Sequence, residues 1–313
     1  MEYSRRRPLP LALAATARAL LASTRPKQWT KNLIIFFALF FTISDWWDLN
    51  DLGRMASLAG RSTAAFALFS ALSGAVYLVN DVIDVGQDRR HPLKRLRPIA
   101  AGQLSAGTAW AAAAVLAGAA LVLSLALEPV FGLVSLLYLS IMLAYSLALK
   151  RVVLLDVFSI SGGFVLRAVA GAAVLQVPIS PWLYICTGLG ALFIALAKRR
   201  SELAAAGAEA GKQRESLQHY SRAFLDQLMA VVAPSTLITY SLYTFTAPNL
   251  PDNHFMMFTI PLVAYGLFRY MYLVHTERLG ESPEDIVITD LPLVVSILLW
   301  LAVATTILVV YRA

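Results

Sequence analysis

Three carboxylates recur at spacings of three and four residues in the stretch Asn80-Asp81-Val82-Ile83-Asp84-Val85-Gly86-Gln87-Asp88-Arg89-Arg90. On a helix those spacings put Asp81, Asp84 and Asp88 on one face, with Asn80 beside them and Tyr77 one turn earlier. The stretch closes a long apolar run. Clustered carboxylates beside hydrocarbon repel one another and are expensive to desolvate, so they require a cationic partner. Their hard oxygen donors suit Mg²⁺, an ion that commonly carries phosphorylated substrates.

Cations are close by in the sequence. Arg89, Arg90, His91, Lys94, Arg95 and Arg97 follow the acidic stretch, and Arg25-Pro26-Lys27-Gln28-Trp29 precedes the first apolar span. Lys150-Arg151 and Lys198-Arg199-Arg200-Ser201-Glu202 each end an apolar run. An acidic metal site ringed by Lys and Arg is suited to a diphosphate: the ion bridges its oxygens and the side-chain cations neutralise the remainder. Taken singly, each basic cluster reads equally well as a membrane-flanking anchor. His91 has no second histidine nearby and reads as a loop residue rather than a ligand.

The elements that must position these residues are membrane spans. Of 313 residues, 58% are apolar and only 14% charged, well below the charge of an ordinary soluble domain. Nine apolar runs approach the length that crosses a bilayer: 32–49, 60–82, 104–127, 130–149, 152–175, 180–199, 226–247, 255–275 and 289–310. They predict an all-α integral membrane protein with one helical bundle over 32–313. Residues 1–31 are basic and interrupted by Arg18, which predicts an interfacial amphipathic helix rather than a cleaved signal. Residues 200–225 are rich in helix formers and fit either a short cap helix or a solvated loop.

Most of the 26 Lys and Arg fall at 5–31, 89–97, 150–151 and 198–222. That bias predicts a cytoplasmic N-terminus and site, with the C-terminus outside. The net charge of +7 is accounted for by this topology, and no nucleic-acid recognition motif accompanies it. The one cysteine, Cys186, excludes an intramolecular disulfide.

Arg167 lies within the fifth span, where a cation faces protein or a polar cavity. It fits either a phosphate contact or a structural role, paired with Asp156 or a helix end. Gly162-Gly163 beside it would permit close helix approach or a bend. Tyr138 and Tyr145 read as packing or interfacial residues, and Glu284 and Asp285 as loop residues with no assigned role.

The pattern Asn-Asp-x-x-Asp-x-x-x-Asp at 80–88 resembles the first aspartate-rich motif of the UbiA superfamily of intramembrane prenyltransferases. The resemblance implies a nine-transmembrane-helix bundle with a cytoplasm-facing polar cavity open to lipid. Typical aromatic prenyltransferases of that superfamily carry a second motif, Asp-x-x-x-Asp, after the sixth helix; here Lys198-Arg199-Arg200-Ser201-Glu202 stands in its place. Further stretches are similar to the decaprenyl-phosphate phosphoribosyltransferase branch: 25–32, 80–101, 145–150, Asp156-Val157, 163–168, 196–203 and 282–285.

That branch implies transfer of 5-phosphoribose from phosphoribosyl diphosphate (PRPP) to a polyprenyl phosphate, in the synthesis of cell-wall arabinan precursors at a bacterial plasma membrane. Asn80 and Asp84 would hold Mg²⁺, with Asp81 and Asp88 as ligands or in support, and Asp156 as a contact to ribose or an orienting group. Lys27, Tyr77 and Lys94 are candidates for the donor phosphates, with Arg97 beside them. Lys150 and Lys198 are candidates for the 5-phosphate or the acceptor phosphate, Arg167 for a phosphate contact deep in the cavity, and Arg199 for a substrate contact. PRPP, the lipid phosphate and the bilayer are the expected partners; a homo-oligomer is left open. Two other readings stand beside this one: a UbiA-type aromatic prenyltransferase using a prenyl diphosphate, and a transporter or lipid-anion binder without chemistry.

Overall fold

Polar caps and prolines in the sequence start most of the long helices. Asp51, Ser105, Ser221 and Asp290 each accept a hydrogen bond from a backbone N–H in the first turn of the helix that follows. Pro129 and Pro181 open two more, at positions where a missing N–H costs nothing. A computed structural model of the chain describes residues 9–178, 180–206, 215–276, 286–287 and 289–311; the side chains of 9–13 and the expected loop residues Glu284 and Asp285 lie outside the described set.

The helices are α1 (Leu9–Ser23), α2 (Phe37–Phe41), α3 (Leu52–Ile83), α4 (Val85–Asp88), α5 (Ala106–Leu127) and α6 (Pro129–Leu147), then α7 (Leu155–Leu175), α8 (Pro181–Ala206), α9 (Arg222–Thr246), α10 (Ile260–Thr276) and α11 (Leu291–Val310). Eight of the described helices are long and apolar enough to cross a membrane, with a short 3₁₀ entry at Phe255–Thr259 extending α10. The protein is an all-α multi-pass membrane bundle.

The first expected span, 32–49, takes a different form. Pro26–Phe36 is a 3₁₀ run, α2 adds five residues, and irregular chain follows to Asn50. A 3₁₀ helix rises about 2 Å per residue against 1.5 Å in an α-helix, so this thin segment covers about 30 Å with few residues. Polar Asn32 is buried in it and held by other helices. Gly171 on α7 makes the approach: a methyl group there would be driven into the carbonyl oxygen of Ile35. On α7 the tightest approach falls at Gly171; Gly163 also lies close to Met142 of α6, whereas Gly162 has open space around it.

Two further boundaries differ from expectation. Helix α3 begins eight residues before the expected start of its span. Helix α8 continues to Ala206, so Lys198, Arg199 and Arg200 lie inside it instead of ending it. The described part of 200–225 is this extension, a 3₁₀ turn at Glu215–His219, and the Ser221 cap and first turn of α9.

Helix α3 packs on α5 and α6, α6 on α7, α7 on α8, α8 on α9, and α10 on α11. The interior is apolar, with Phe69, Phe131, Tyr138 and Val174 in one cluster and Phe193, Leu196, Leu225 and Met229 in another. Val115, Val122, Leu133, Phe158, Val231 and Leu298 are exposed on outer faces, as contact with hydrocarbon requires. The antiparallel succession brings the C-terminal ends of α3, α6 and α8 and the N-terminal ends of α5, α7 and α9 to one end of the bundle. The charged stretches of the sequence are gathered there.

Candidate functional site

A cavity of about 830 Å³ opens at that end. Ten Lys or Arg side chains line it against three carboxylates, Asp84, Asp88 and Glu202. Of the expected residues, Tyr77, Asn80, Asp84, Asp88, Lys94, Arg97, Lys150, Arg167, Lys198 and Arg199 all line it.

The acidic stretch does not stay on one helical face. Helix α3 ends at Ile83, Asp84 caps it, and α4 carries Asp88. The carboxylates are shared out among side-chain cations. Asp81 is 2% exposed and is paired with Arg25 and, at 3.2 Å, with Arg97 Nη1; the same Nη1 lies 2.7 Å from Asp88 Oδ2. Asp81 does not line the cavity, whereas its two arginine partners do. Asp84 and Asn80 form a separate centre. Lys150 Nζ donates to Asp84 Oδ1 at 2.6 Å and to Asn80 Oδ1 at 3.1 Å. Lys150 is itself 7% exposed.

Among the described residues no group of three or more His, Cys, Asp or Glu side chains is arranged to hold a metal. The Asn80–Asp84 pair nevertheless fits Mg²⁺: two hard oxygens converge on one point where a cation, the Lys150 ammonium, already sits. Mg²⁺ is often held by one or two protein oxygens and completed by water and substrate phosphate. His91 Nδ1 accepts from the backbone N–H of Leu93 and Lys94, which makes it a turn-former.

Arg167 lies deeper. It is 6% exposed, and all three of its nitrogens donate to neutral acceptors: Nε to Asn32 Oδ1 at 2.7 Å, Nη1 to the Gly163 carbonyl at 2.8 Å, and Nη2 to Tyr138 Oη at 2.8 Å. The rings of Tyr138 and Phe164 flank the guanidinium. Tyr138 Oη is 3.0 Å from Ser73 Oγ, and Asn32 Nδ2 donates to Ser70 Oγ. Arg167 thus does not pair with Asp156, the structural alternative raised by the sequence.

Asp156 instead holds Arg199. It is fully buried and does not line the cavity. Its carboxylate accepts from Arg199 Nε at 2.9 Å, Ser216 Oγ at 3.2 Å and Tyr220 Oη at 2.7 Å. Tyr220 Oη also accepts from the Leu154 N–H, where the backbone is held at a φ of 67°. Burial, together with donation to Asp156, pushes the Tyr220 hydroxyl well above the usual phenol range. Arg199 is 2% exposed and pairs additionally with Glu202. Of the two roles expected of Asp156, a ribose contact or an orienting group, the geometry accords with the second: the carboxylate faces Arg199 inside the wall. Lys27 is exposed and is not among the residues that line the cavity.

Arg25, Gln28, Lys31 and Tyr138 also line the cavity and Asn32 contacts Arg167, although the sequence marks Arg25 and Gln28 only as part of the basic stretch at 25–29 and Tyr138 only as packing. Arg25 precedes Pro26 and adopts a φ of 55°, which turns its side chain over the Tyr77 ring at 4.7 Å. Asn32 stands at the polar edge of the first apolar run, next to Lys31, so its sequence position does not mark it as buried.

A model of the UbiA prenyltransferase family matches residues 9–284. The chain is 31% identical over 289 residues to the decaprenyl-phosphate phosphoribosyltransferase of Mycolicibacterium smegmatis, covering 90% of each chain. It is 33% identical over 278 residues to the protein of that name from Mycobacterium tuberculosis H37Rv, covering 89% of this chain and 90% of the relative. Among solved structures, a UbiA homolog from Archaeoglobus fulgidus bound to GPP and Mg²⁺ superposes with a TM-score of 0.70 at 17% identity, covering 93% of this chain and 99% of that one. The superposition supports the fold.

Proposed function

The chain belongs to the UbiA prenyltransferase family, and from that premise we propose that it transfers 5-phosphoribose from PRPP to the phosphate of a polyprenyl phosphate, releasing diphosphate with Mg²⁺ as cofactor. The observation that carries the reading is the charge of the cavity, ten cations against three carboxylates, where the donor and acceptor would together bring several phosphate groups. The names of the relatives, which match over nearly the whole chain, support the same chemistry.

An oxygen of the lipid phosphate attacks C1 of the ribose, the bond from C1 to the diphosphate breaks, and the diphosphate leaves with the electron pair. An ionised phosphate monoester is already a competent nucleophile, so no general base is required. The work is positional and electrostatic. Asn80 and Asp84 would hold the metal ion, whose chemistry there is to neutralise the leaving diphosphate. Asp81 and Asp88 fix Arg97, and Asp81 fixes Arg25, so both guanidinium groups are set at the cavity before substrate arrives. Lys94, Lys150 and Lys198 supply mobile point charges to phosphate oxygens. Asp156 acts through Arg199 as a positioning residue. The sign of the loop charges supports a reading in which this end of the bundle and the N-terminus face the cytoplasm of a bacterium, where PRPP is found. The product would serve arabinan precursor synthesis.

Membranes bearing the protein are given labelled PRPP with polyprenyl phosphate, or labelled prenyl diphosphate with aromatic acids. Mg²⁺-dependent label transfer to lipid in the first mixture is expected. Transfer confined to the second would establish the aromatic prenyltransferase reading, and transfer in neither would favour a binder without chemistry.

A further inference from the structure

The cavity holds two cationic levels at different depths. The upper one is the Asn80–Asp84 pair under Lys150. The lower one is Arg167, whose depth is fixed by Tyr138 and, through it, by Ser73 on α3. Ser73 and Asn80 lie on the same helix seven residues apart, which separates the two levels by about 10 Å along the axis.

Arg167 has an electrostatic property that Arg25, Arg97 and Lys150 lack. Asp81, Asp84 and Asp88 compensate Arg25, Arg97 and Lys150. Among the described residues no carboxylate pairs with Arg167; its partners are an amide, a carbonyl and a phenol. A buried cation with hydrogen bonds but no counter-charge leaves a strong positive potential in the adjoining space. It can be sustained where an anion visits.

Resting on the phosphoribosyl reading, we infer that Arg167, set by Asn32 and Tyr138, is the specificity-determining residue for a phosphate monoester at the cavity floor, and that this group is the 5-phosphate of the sugar donor. Two phosphate monoesters enter the reaction, and geometry separates them. The acceptor phosphate must touch C1, which is bonded to the leaving diphosphate, so it belongs at the upper level. The 5-phosphate is held away from the diphosphate by the pentose, in the direction of the floor. A cation at that depth also opposes a donor whose diphosphate is followed by hydrocarbon, because the isoprenoid chain would desolvate it.

The test measures equilibrium binding of three probes in the presence of Mg²⁺: PRPP, inorganic diphosphate and polyprenyl phosphate. The full chain is reconstituted in nanodiscs, and affinities are normalised to folded protein. Arg167→Gln is expected to weaken PRPP at least tenfold while leaving diphosphate and polyprenyl phosphate within about twofold. Tyr138→Phe, which keeps the ring and removes one acceptor, is expected to weaken PRPP alone by a smaller factor, and it serves if Arg167→Gln fails to fold. Equal loss for PRPP and diphosphate, or no selective loss of PRPP, would overturn the inference. Selective loss of polyprenyl phosphate would assign the floor to the acceptor and overturn it as well. A wild-type protein that binds diphosphate but not PRPP would instead sink the phosphoribosyl reading, and this inference with it.

Discussion

Lys150 Nζ sits 2.6 Å from Asp84 Oδ1, so the carboxylate best suited to a divalent ion already has a monovalent one bound to it. The same ammonium reaches Asn80 Oδ1. Metal and lysine cannot both occupy that point. Lys150→Met is therefore expected to tighten Mn²⁺ binding several-fold in the absence of substrate, read by the loss of free-ion signal in electron paramagnetic resonance. The same variant should turn over more slowly, because the released ammonium no longer meets phosphate. Unaltered Mn²⁺ affinity would show that the lysine and the ion do not compete.

Asp84→Ala should abolish Mg²⁺-dependent turnover while the bundle stays folded, since Asp84 caps α3 through its backbone and its side chain accepts from Lys150. Turnover and thermal midpoint are measured on the same preparation. Turnover retained at ordinary Mg²⁺ would remove Asp84 from the metal site.

Tyr220→Phe removes a donor from a buried carboxylate and an acceptor from the Leu154 N–H. The expected loss of stability is about 1–3 kcal/mol, the range for leaving buried polar groups unsatisfied. Thermal unfolding in detergent reads it directly. A midpoint equal to wild type would mean that Ser216 and Arg199 satisfy Asp156 by themselves.

Asp290 offers a dependence on pH. Two hydrogen bonds from Arg269, at 3.1 and 2.7 Å, hold its carboxyl below the ordinary carboxylate range. A carboxyl depressed in the folded state contributes stability above its unfolded pKa, and that contribution is lost as pH falls through the folded value. Wild type should thus melt above Asp290→Asn at pH 7, with the gap closing as pH drops below about 4. A gap independent of pH would mean that the charge of Asp290 is not what stabilises the α10–α11 connection.

The parts of this protein that could be read from its sequence are those governed by local rules. Span length, loop charge and the three-and-four spacing of Asp81, Asp84 and Asp88 all concern neighbours along the chain, and they located eight helices and the charged end of the bundle. Pairings across the bundle have no local signature. Asp156 and Arg199 are 43 residues apart, and Arg25 and Asp81 are 56 apart. Each carboxylate therefore looked available for metal or substrate until its cation was seen. Arg25 and Lys27 pose a related problem: nothing local in the 25–29 stretch tells which basic side chain faces the cavity, and it is Arg25, at a positive φ, that lies over the Tyr77 ring. The thin 3₁₀ first segment escaped because hydropathy reports apolar length and not rise per residue.

The contact between Gly171 and Ile35 has reach beyond packing. Gly171 stands one turn along α7 from Arg167, and Ile35 stands three residues beyond Asn32, which accepts the Arg167 Nε–H. The two strands of this linkage act like the jaws of a calliper. A methyl group added at position 171, away from the cavity, would push the first segment outward and draw the Asn32 amide off the guanidinium. If Arg167 meets a substrate phosphate as proposed, Gly171→Ala would shift substrate preference from a position outside the cavity lining.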